Sequence, residues 1–256
     1  MTGPGGRTAG SGHAARTDGL AAPAATSTPG AAADPLRPGP VCLDLDGCLV
    51  DSAAAITEAV VAALDHLGVA TPPADTLGWC VGPPLQESMA RLLADAGEDP
   101  ARAGEAVDAY RAVYALSWPE RTRVFDGVEE VLVSLVGAGR ELAVVTSKPL
   151  PLASSIVEEL GLARWLPAVF APDPDDRSEP KTATLARALA ARWPGHDPAN
   201  VTMVGDRSHD VVAGQACGTA TVGVTWGAGD RGELEAAGAD RVVDTAQQLR
   251  AALLGW

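Results

Sequence analysis

From residue 41 onward, short β-branched runs alternate with segments of helical periodicity, and this alternation restricts the possible folds more than any other feature. The predicted strands are VCLDL (41–45), ELAVVT (141–146), AVF (168–170), VTMVGD (201–206), TATVGVT (219–225) and RVVD (241–244). Helical patterns lie between and after them, each short enough for one crossover helix: VEEVLVSLV, LASSIVEEL, TATLARALAARW, HDVVAGQA and TAQQLRAALL. Strands joined by helices run parallel and are covered on both faces. The sequence therefore predicts an α/β fold with a Rossmann-like, mainly parallel sheet.

One interval interrupts the alternation. No strand pattern occurs there, and Ile56, Val60 and Leu64 instead mark one face of a helix. Further helices are predicted over 85–93 and 103–116. We therefore expect a small all-helical cap inserted after the first strand. The predicted boundaries are 1–40 for an N-terminal tail, 53–123 for the cap, and 41–52 with 124–256 for the core.

The N-terminal tail differs in composition from the rest of the chain. It is nearly all Ala, Gly, Pro, Ser and Thr, and Leu20 and Leu36 are its only sizeable apolar side chains after the initiator methionine. Such a stretch buries too little apolar surface to offset the entropy of ordering. We predict that residues 1–40 are disordered.

Charge and cysteine usage limit the partners and the compartment. The net charge is −14, and no Lys/Arg-rich run is present, so nucleic acid and anionic membranes are disfavoured as partners. No apolar run reaches the ~18 residues of a membrane span, and no signal-peptide stretch is seen. The four cysteines lack paired or zinc-ligand spacing. We expect a cytoplasmic protein, monomer or homodimer, that acts on small molecules.

Polar side chains collect where the predicted strands end. They are Asp44 and Asp46, then Thr146, Ser147 and Lys148, then Asp206, which follows Gly205, and Asp210. Because ligands bind beyond the carboxyl ends of parallel strands, these groups are expected to converge. Carboxylates tolerate one another when a hard cation lies between them, and Mg²⁺ takes such ligands together with phosphate. Lys148 and Lys181 are the only lysines among 19 basic residues, and both fall beside this edge.

Four segments together resemble the motifs of the haloacid dehalogenase superfamily. They are DLDGCLVDS (44–52), VVTSKP (144–149), EPKTATL (179–185) and VGDRSHD (204–210). The resemblance covers residues 41 to about 250, with the motifs in the family's order. It implies a phosphatase-type hydrolase that carries a helical cap and resembles phosphoglycolate phosphatases.

The resemblance also implies roles for individual residues. Asp44 would be the nucleophile that forms an aspartyl-phosphate, and Asp46 the acid/base. The implied magnesium ligands are Asp44, the backbone carbonyl of Asp46, and Asp206. The implied phosphate-binding residues are Gly47, Thr146, Ser147 and Lys181. Asp210 would orient Lys181 or a metal-bound water from behind.

Related reactions can be weighed by what the sequence lacks. Dehalogenases of the family lack the second aspartate, so Asp46 favours phosphoryl chemistry. Phosphonoacetaldehyde hydrolases use a cap lysine, and no lysine lies between residues 53 and 123. Sugar phosphomutases carry a cap histidine where this chain has Ile56. Of the reactions considered, hydrolysis of a phosphomonoester is the one that the sequence favours.

Several positions near the motifs remain open. Cys48 stands where the family commonly has threonine, and a weaker thiol donor predicts looser positioning of Asp46. Asp51 and Ser52 are expected to cap the first helix of the cap. The cap segment VGPPLQESM (81–89) either faces the substrate, through Gly82, Pro83, Pro84 and Leu85, or simply opens a helix. Arg91 and Arg111 either meet an anionic substrate or face solvent.

The sequence thus predicts a Mg²⁺-dependent phosphoric monoester hydrolase acting on a small phosphorylated metabolite similar to phosphoglycolate. An alternative is a nucleoside 5′-monophosphate phosphatase. An alternative of another class is a non-catalytic regulatory module that binds a phosphometabolite, suggested by Cys48 and the long tail.

Overall fold

The computed structural model describes residues 1–3, 38–173 and 179–255. All of these except the first three residues belong to one compact unit, Asp34–Trp256, and residues 1–3 carry no regular secondary structure. The predicted disorder of residues 1–40 therefore lies outside the described residues, apart from 1–3 and 38–40, and stays a prediction. Among the described helices, none combines the length and the apolar character that crossing a bilayer requires.

The described residues contain eight strands, six of which form the main sheet. The strands are β1 (Val41–Leu43), β2 (Val50–Asp51), β3 (Arg123–Val124), β4 (Leu142–Val145), β5 (Val169–Phe170), β6 (Thr202–Gly205), β7 (Ala220–Val224) and β8 (Arg241–Val243). The main sheet has the order β5-β4-β1-β6-β7-β8, and every neighbouring pair is parallel. The predicted parallel α/β fold is confirmed.

Nine α-helices lie around and above the sheet in the described part of the chain. They are α1 (Ala53–His66), α2 (Leu85–Asp95), α3 (Ala103–Arg121), α4 (Val128–Gly137), α5 (Leu150–Glu159), α6 (Lys181–Arg192), α7 (Ser208–Cys217), α8 (Arg231–Ala236) and α9 (Ala246–Leu254). The sequence pattern indicated all but α8, a short helix whose cap Asp230 accepts a bond of 2.8 Å from the Glu233 N–H.

The two faces of the sheet are covered by different helices because strand side chains alternate in direction. In β1, Val41 and Leu43 join the apolar cluster that includes α4, α5 and α9. Cys42, between them, joins a second cluster with α6 and α7. The predicted helices on both faces are therefore present, and the carboxyl ends of the central strands are left open for a site.

The cap region consists of α1, α2 and α3 with short 3₁₀ turns. On α1, Ile56, Val60 and Leu64 are buried, as the sequence pattern predicted. Helix α3 continues past the predicted end at residue 116 to Arg121, because its last turns bury Trp118. The division into cap 53–123 and core is retained as a proposal.

A small antiparallel ribbon joins the cap to the core, and the sequence analysis missed it. Strand β2 precedes α1, and β3, which follows α3, begins inside the interval where no strand was expected. Each strand has only two residues, too few to show a period. An ion pair of 2.7 Å between Asp51 and Arg123 links the two strands.

Candidate active site

Asp44 lies at the end of β1, in the centre of the sheet. Its backbone N–H donates to the Val204 carbonyl of β6 (2.9 Å), which fixes its position between the two strands. Its Oδ1 accepts a bond of 2.7 Å from the Leu45 N–H, and its Oδ2 lies 2.8 Å from Lys181 Nζ. The side chain is buried. The backbone therefore holds this carboxylate in one orientation.

Lys181 opens α6 and contacts two carboxylates. Its Nζ lies against Asp44 Oδ2 and also donates to Asp210 Oδ1. Burial lowers the pKa of Lys181, but the attraction of Asp210 and Asp44 outweighs burial, and the net pKa is raised. Lys181 therefore stays a cation between two aspartates, one at the end of β1 and one in the first turn of α7.

Three buried aspartates form a cluster behind the open edge. One carboxylate oxygen from each of Asp44, Asp206 and Asp210 lies within 4.8 Å of the others. Burial raises the pKa of Asp44 to about 7, against the lowering effect of Lys181 and with a further rise from Asp210. Burial and the charges of Asp210 and Asp44 raise the pKa of Asp206, against the lowering effects of the Ala228 N–H and Lys181. With all three carboxylates ionised, the cluster would hold more negative charge than Lys181 alone balances, and burial together with this excess of charge raises the pKa values of Asp44 and Asp206.

The cluster fits a small divalent cation. Asp206 Oδ2 accepts a bond of 2.7 Å from the Ala228 N–H, but its Oδ1 is buried without a hydrogen-bond partner among the described residues. Gly47 (φ +80°) passes so close that a Cβ there would lie 2.2 Å from Asp206 Oδ2. An orphaned carboxylate oxygen in a tight oxygen-lined cradle suits Mg²⁺. The predicted carbonyl ligand of Asp46 stays a prediction.

Asp46 is held from two sides by residues other than Cys48. The Ser52 hydroxyl donates to Asp46 Oδ1 (2.5 Å), and Lys148 Nζ lies 3.1 Å from Asp46 Oδ2. Ser52 occupies the N-cap position of α1, as predicted, but its hydroxyl donates to Asp46 and makes no cap bond. The Cys48 thiol donates to the Val204 carbonyl (3.8 Å), and the looser positioning of Asp46 stays a prediction.

A cavity of about 200 Å³ lies above Asp44 and Asp46. Its lining includes the core residues Thr146, Ser147 and Lys148 and the predicted cap residues Gly82, Pro83, Pro84 and Leu85. Arg111 also lines it, whereas Arg91 stacks on the Trp79 ring (4.2 Å) and pairs with Asp95 (3.7 Å). The structure therefore brings the predicted phosphate-binding loop and the predicted cap loop to one cavity.

Two functional contacts were missed by the sequence analysis. Arg207, next to Asp206, donates from Nη1 to the Val81 carbonyl (2.5 Å) and from Nε to Glu233 (3.0 Å), so it links the loop after β6 to the segment 81–85. Tyr114 of α3 accepts a bond of 2.9 Å from Lys148 Nζ. For Tyr114, the spacing of the Tyr110/Tyr114 pair on one helix face was an available signal.

This geometry can be compared with known proteins. A model of the family described as haloacid dehalogenase-like hydrolase matches residues 41–224. The chain belongs to this family. The predicted resemblance is thereby confirmed, and the matched residues include the three clustered aspartates and Lys181.

Curated relatives carry different names. The chain is similar to tyrosine-protein kinase PtkA of Mycobacterium tuberculosis, with 38% identity over 74% of this chain and 62% of that protein. It thus spans less than two thirds of that relative. It is also similar to a 5′-nucleotidase of Pseudomonas aeruginosa (35% identity, 78% of this chain and 89% of that protein) and to a phosphoglycolate phosphatase of Neisseria meningitidis (34% identity, 74% and 81%).

Solved structures agree with the fold. A structure described as a predicted phosphatase from Clostridium acetobutylicum superposes with a TM-score of 0.79 at 30% identity, and the match covers 86% of this chain and all of that one. The structure of the tyrosine kinase PtkA matches with a TM-score of 0.72 at 36% identity, over 85% of this chain and 98% of that one. The haloacid dehalogenase-like architecture is therefore shared by relatives with different names.

Proposed function

We propose that this chain is a Mg²⁺-dependent phosphoric monoester hydrolase that works through an aspartyl-phosphate on Asp44. One observation carries the proposal: Asp44, Asp206, Asp210 and Lys181 form a buried cluster directly beneath a cavity lined by Asp46 and Thr146. Asp44, Asp206 and the carbonyl of Asp46 would hold the metal. When bound, Mg²⁺ supplies positive charge that offsets repulsion between the aspartates and the anionic phosphate.

The chemical steps belong to two carboxylates. Asp44 attacks phosphorus, the bond between phosphorus and the ester oxygen breaks, and Asp46 gives its proton to the leaving oxygen. Asp46 then takes a proton from water, which attacks the phosphorus of the aspartyl-phosphate. This second displacement releases inorganic phosphate and regenerates Asp44.

The surrounding residues bind and orient the phosphate. Thr146 is fixed at the end of β4, because its N–H donates to the Phe170 carbonyl (3.0 Å), and with Ser147 it lines the cavity. Lys181 brings a cation to Asp44 Oδ2, where the phosphate oxygens would also arrive. Gly47 allows its loop to lie against the Asp206 carboxylate, where a Cβ would not fit. Its φ of +80° is also strained for residues other than glycine.

For the substrate we propose a small phosphomonoester similar to phosphoglycolate. Arg111 brings a guanidinium to the cavity wall, which suits a leaving group with a carboxylate, and a relative is named phosphoglycolate phosphatase. A nucleoside 5′-monophosphate is the second candidate. Tyr110 and the prolines of the wall offer a stacking surface for a base, and a relative is named 5′-nucleotidase.

A panel of phosphate esters tests the proposal. With Mg²⁺ present, we expect phosphate release from phosphoglycolate to exceed that from adenosine 5′-monophosphate by at least about tenfold in kcat/KM, since one charged contact contributes about that much. The reverse preference would select the nucleotidase. Because a relative is named tyrosine-protein kinase, radiolabelled ATP with a tyrosine peptide forms a further arm. Phosphorylated peptide without hydrolysis of any ester would contradict the hydrolase assignment.

The pKa of Asp44 gives a prediction about metal binding. We expect Mg²⁺ to raise the melting temperature more at about pH 8 than at about pH 6. Burial, opposed by Lys181, raises the pKa of Asp44 from 3.8 to about 7, so the metal-free folded state holds a proton that the unfolded state has lost. The metal-free fold therefore loses stability as pH rises from 3.8 to about 7. Because Mg²⁺ competes with that proton, it binds better above about pH 7.

Thermal shift measurements with and without Mg²⁺ at both pH values check this prediction. Asp44→Asn should remove most of the difference between the two pH values. Equal shifts at both pH values in the unmodified protein would contradict a protonated, metal-free Asp44.

We also propose that the protein works in the cytoplasm on a small phosphorylated metabolite. All four cysteines are free, and three of them are buried, which suits a reducing compartment. Whether the protein is a monomer or a homodimer stays a prediction.

A further inference from the structure

Lys148, which has no part in the chemical steps proposed above, makes three contacts. Its Nζ lies 3.1 Å from Asp46 Oδ2, 2.9 Å from the Tyr114 hydroxyl oxygen and 4.3 Å from the centre of the Tyr114 ring. The side chain is buried. A buried cation is costly to desolvate unless it is well paired. Lys148 is therefore held in place by one carboxylate and one aromatic residue.

The two lysines of this chain are distributed over the two aspartates of the DLDG segment. Lys181 contacts Asp44, and Lys148 contacts Asp46. The other basic residues are arginines, whose planar fork suits bidentate pairing rather than a single point charge. Each of the two aspartates, Asp44 and Asp46, is thus contacted by the compact ammonium group of one lysine.

The contact with Lys148 completes the fixation of Asp46. Ser52 holds one carboxylate oxygen at 2.5 Å, and Lys148 holds the other at 3.1 Å. Ser52 comes from the segment that leads into the cap, and Lys148 comes from the loop after β4. Asp46 is consequently held between two stretches of chain, and it lines the cavity.

We propose that Lys148 is a positioning residue that orients Asp46 for proton transfer to the leaving oxygen, and that Tyr114 couples this orientation to the seating of helix α3. The proposal rests on the proposed function. Tyr114 is buried and stacks on Tyr110, with ring centroids 5.3 Å apart, and Tyr110 lines the cavity. Helix α3 therefore lines the cavity through Tyr110. Through Tyr114 and Lys148 the same helix is linked to Asp46, the proposed acid.

The test compares two leaving groups in Lys148→Met. An alkyl phosphate, the better of phosphoglycolate and adenosine 5′-monophosphate, needs a proton on its leaving oxygen, whereas p-nitrophenyl phosphate leaves without one. We expect kcat/KM to fall about 100-fold for the alkyl phosphate, the lower range for general acid catalysis, and only a few-fold for the aryl phosphate. A residue that merely supports the fold would lower both by the same factor.

Tyr114→Phe is the second variant, and it keeps the stacked ring while removing the hydroxyl. It should show the same selective loss in smaller measure, about tenfold for the alkyl phosphate, as expected for one hydrogen bond to a charged group. In an Asp46→Asn background, Lys148→Met should add no further selectivity, because the group it positions is gone.

Equal losses for both substrates in Lys148→Met and Tyr114→Phe, or full additivity with Asp46→Asn, would overturn the proposal. If the unmodified protein releases phosphate from neither ester in Mg²⁺, the proposed function itself fails instead. Unmodified protein that hydrolyses both esters, together with variants that show no leaving-group effect, refutes only the role of Lys148.

Discussion

Asp44→Asn should reduce Mg²⁺-dependent phosphate release at least about 1,000-fold, with little change in melting temperature. The amide has nearly the shape of the carboxylate, so it can keep the bond from the Leu45 N–H and still face Lys181. It cannot attack phosphorus. Above about pH 7, where Asp44 is ionised, the substitution also removes one of three clustered negative charges, so the fold gains relief from repulsion while Lys181 loses one of its two carboxylate partners.

A matched control makes this result specific. Asp65→Asn makes the same substitution at an exposed position of α1, where the side chain accepts a bond from Thr71 (2.7 Å), and activity should be unchanged. The assay uses p-nitrophenyl phosphate and follows melting temperature in parallel. Activity in Asp44→Asn close to that of the unmodified protein would contradict the nucleophile and would revive the non-catalytic binding module.

The positions of Asp44, Asp206 and Lys181 relative to the sheet could be predicted from sequence for a simple physical reason. Asp44 and Asp206 each follow an apolar run with a strand pattern, and Lys181 begins a helical pattern. The carboxyl ends of parallel strands meet at one edge of the sheet. The order of the strands then brings β1 and β6 side by side, and Asp44 with Asp206. The proximity of these residues, which are far apart in sequence, could thus be predicted from the local strand and helix patterns together with the rule that ligands bind at the carboxyl ends of parallel strands.

Other features were not accessible in this way. Ser52 carries a capping signal, but Asp46 Oδ1 competes for its hydroxyl, and that acceptor exists only after the loop has folded. The contact between Lys148 and Tyr114 joins residues 34 positions apart across the cap and the core. Strands β2 and β3 have two residues each. Where a side chain can bind either a local or a tertiary partner, the sequence shows which partners are possible but not which of them is bound.

Lys181→Met should abolish turnover and also lower the free energy of unfolding by about 3 kcal/mol, the lower range for breaking a buried ion pair. Methionine fills much of the lysine's volume, so the cost is mainly electrostatic. Two buried carboxylates, Asp44 and Asp210, lose the cation that both of them contact. Urea unfolding without Mg²⁺ measures the loss, and adding Mg²⁺ should recover part of it, because the ion supplies positive charge to the same cluster.

A second substitution separates charge balance from catalysis. In Lys181→Met/Asp210→Asn one of the stranded charges is gone, so stability should recover by at least about 1 kcal/mol relative to the single variant, while phosphate release stays absent because the phosphate oxygens still lack their cation. Asp210→Asn alone keeps the contact between Lys181 and Asp44 and should retain measurable activity. If the double variant regained turnover, Lys181 would act only by balancing Asp210, and its proposed contact with phosphate would be wrong.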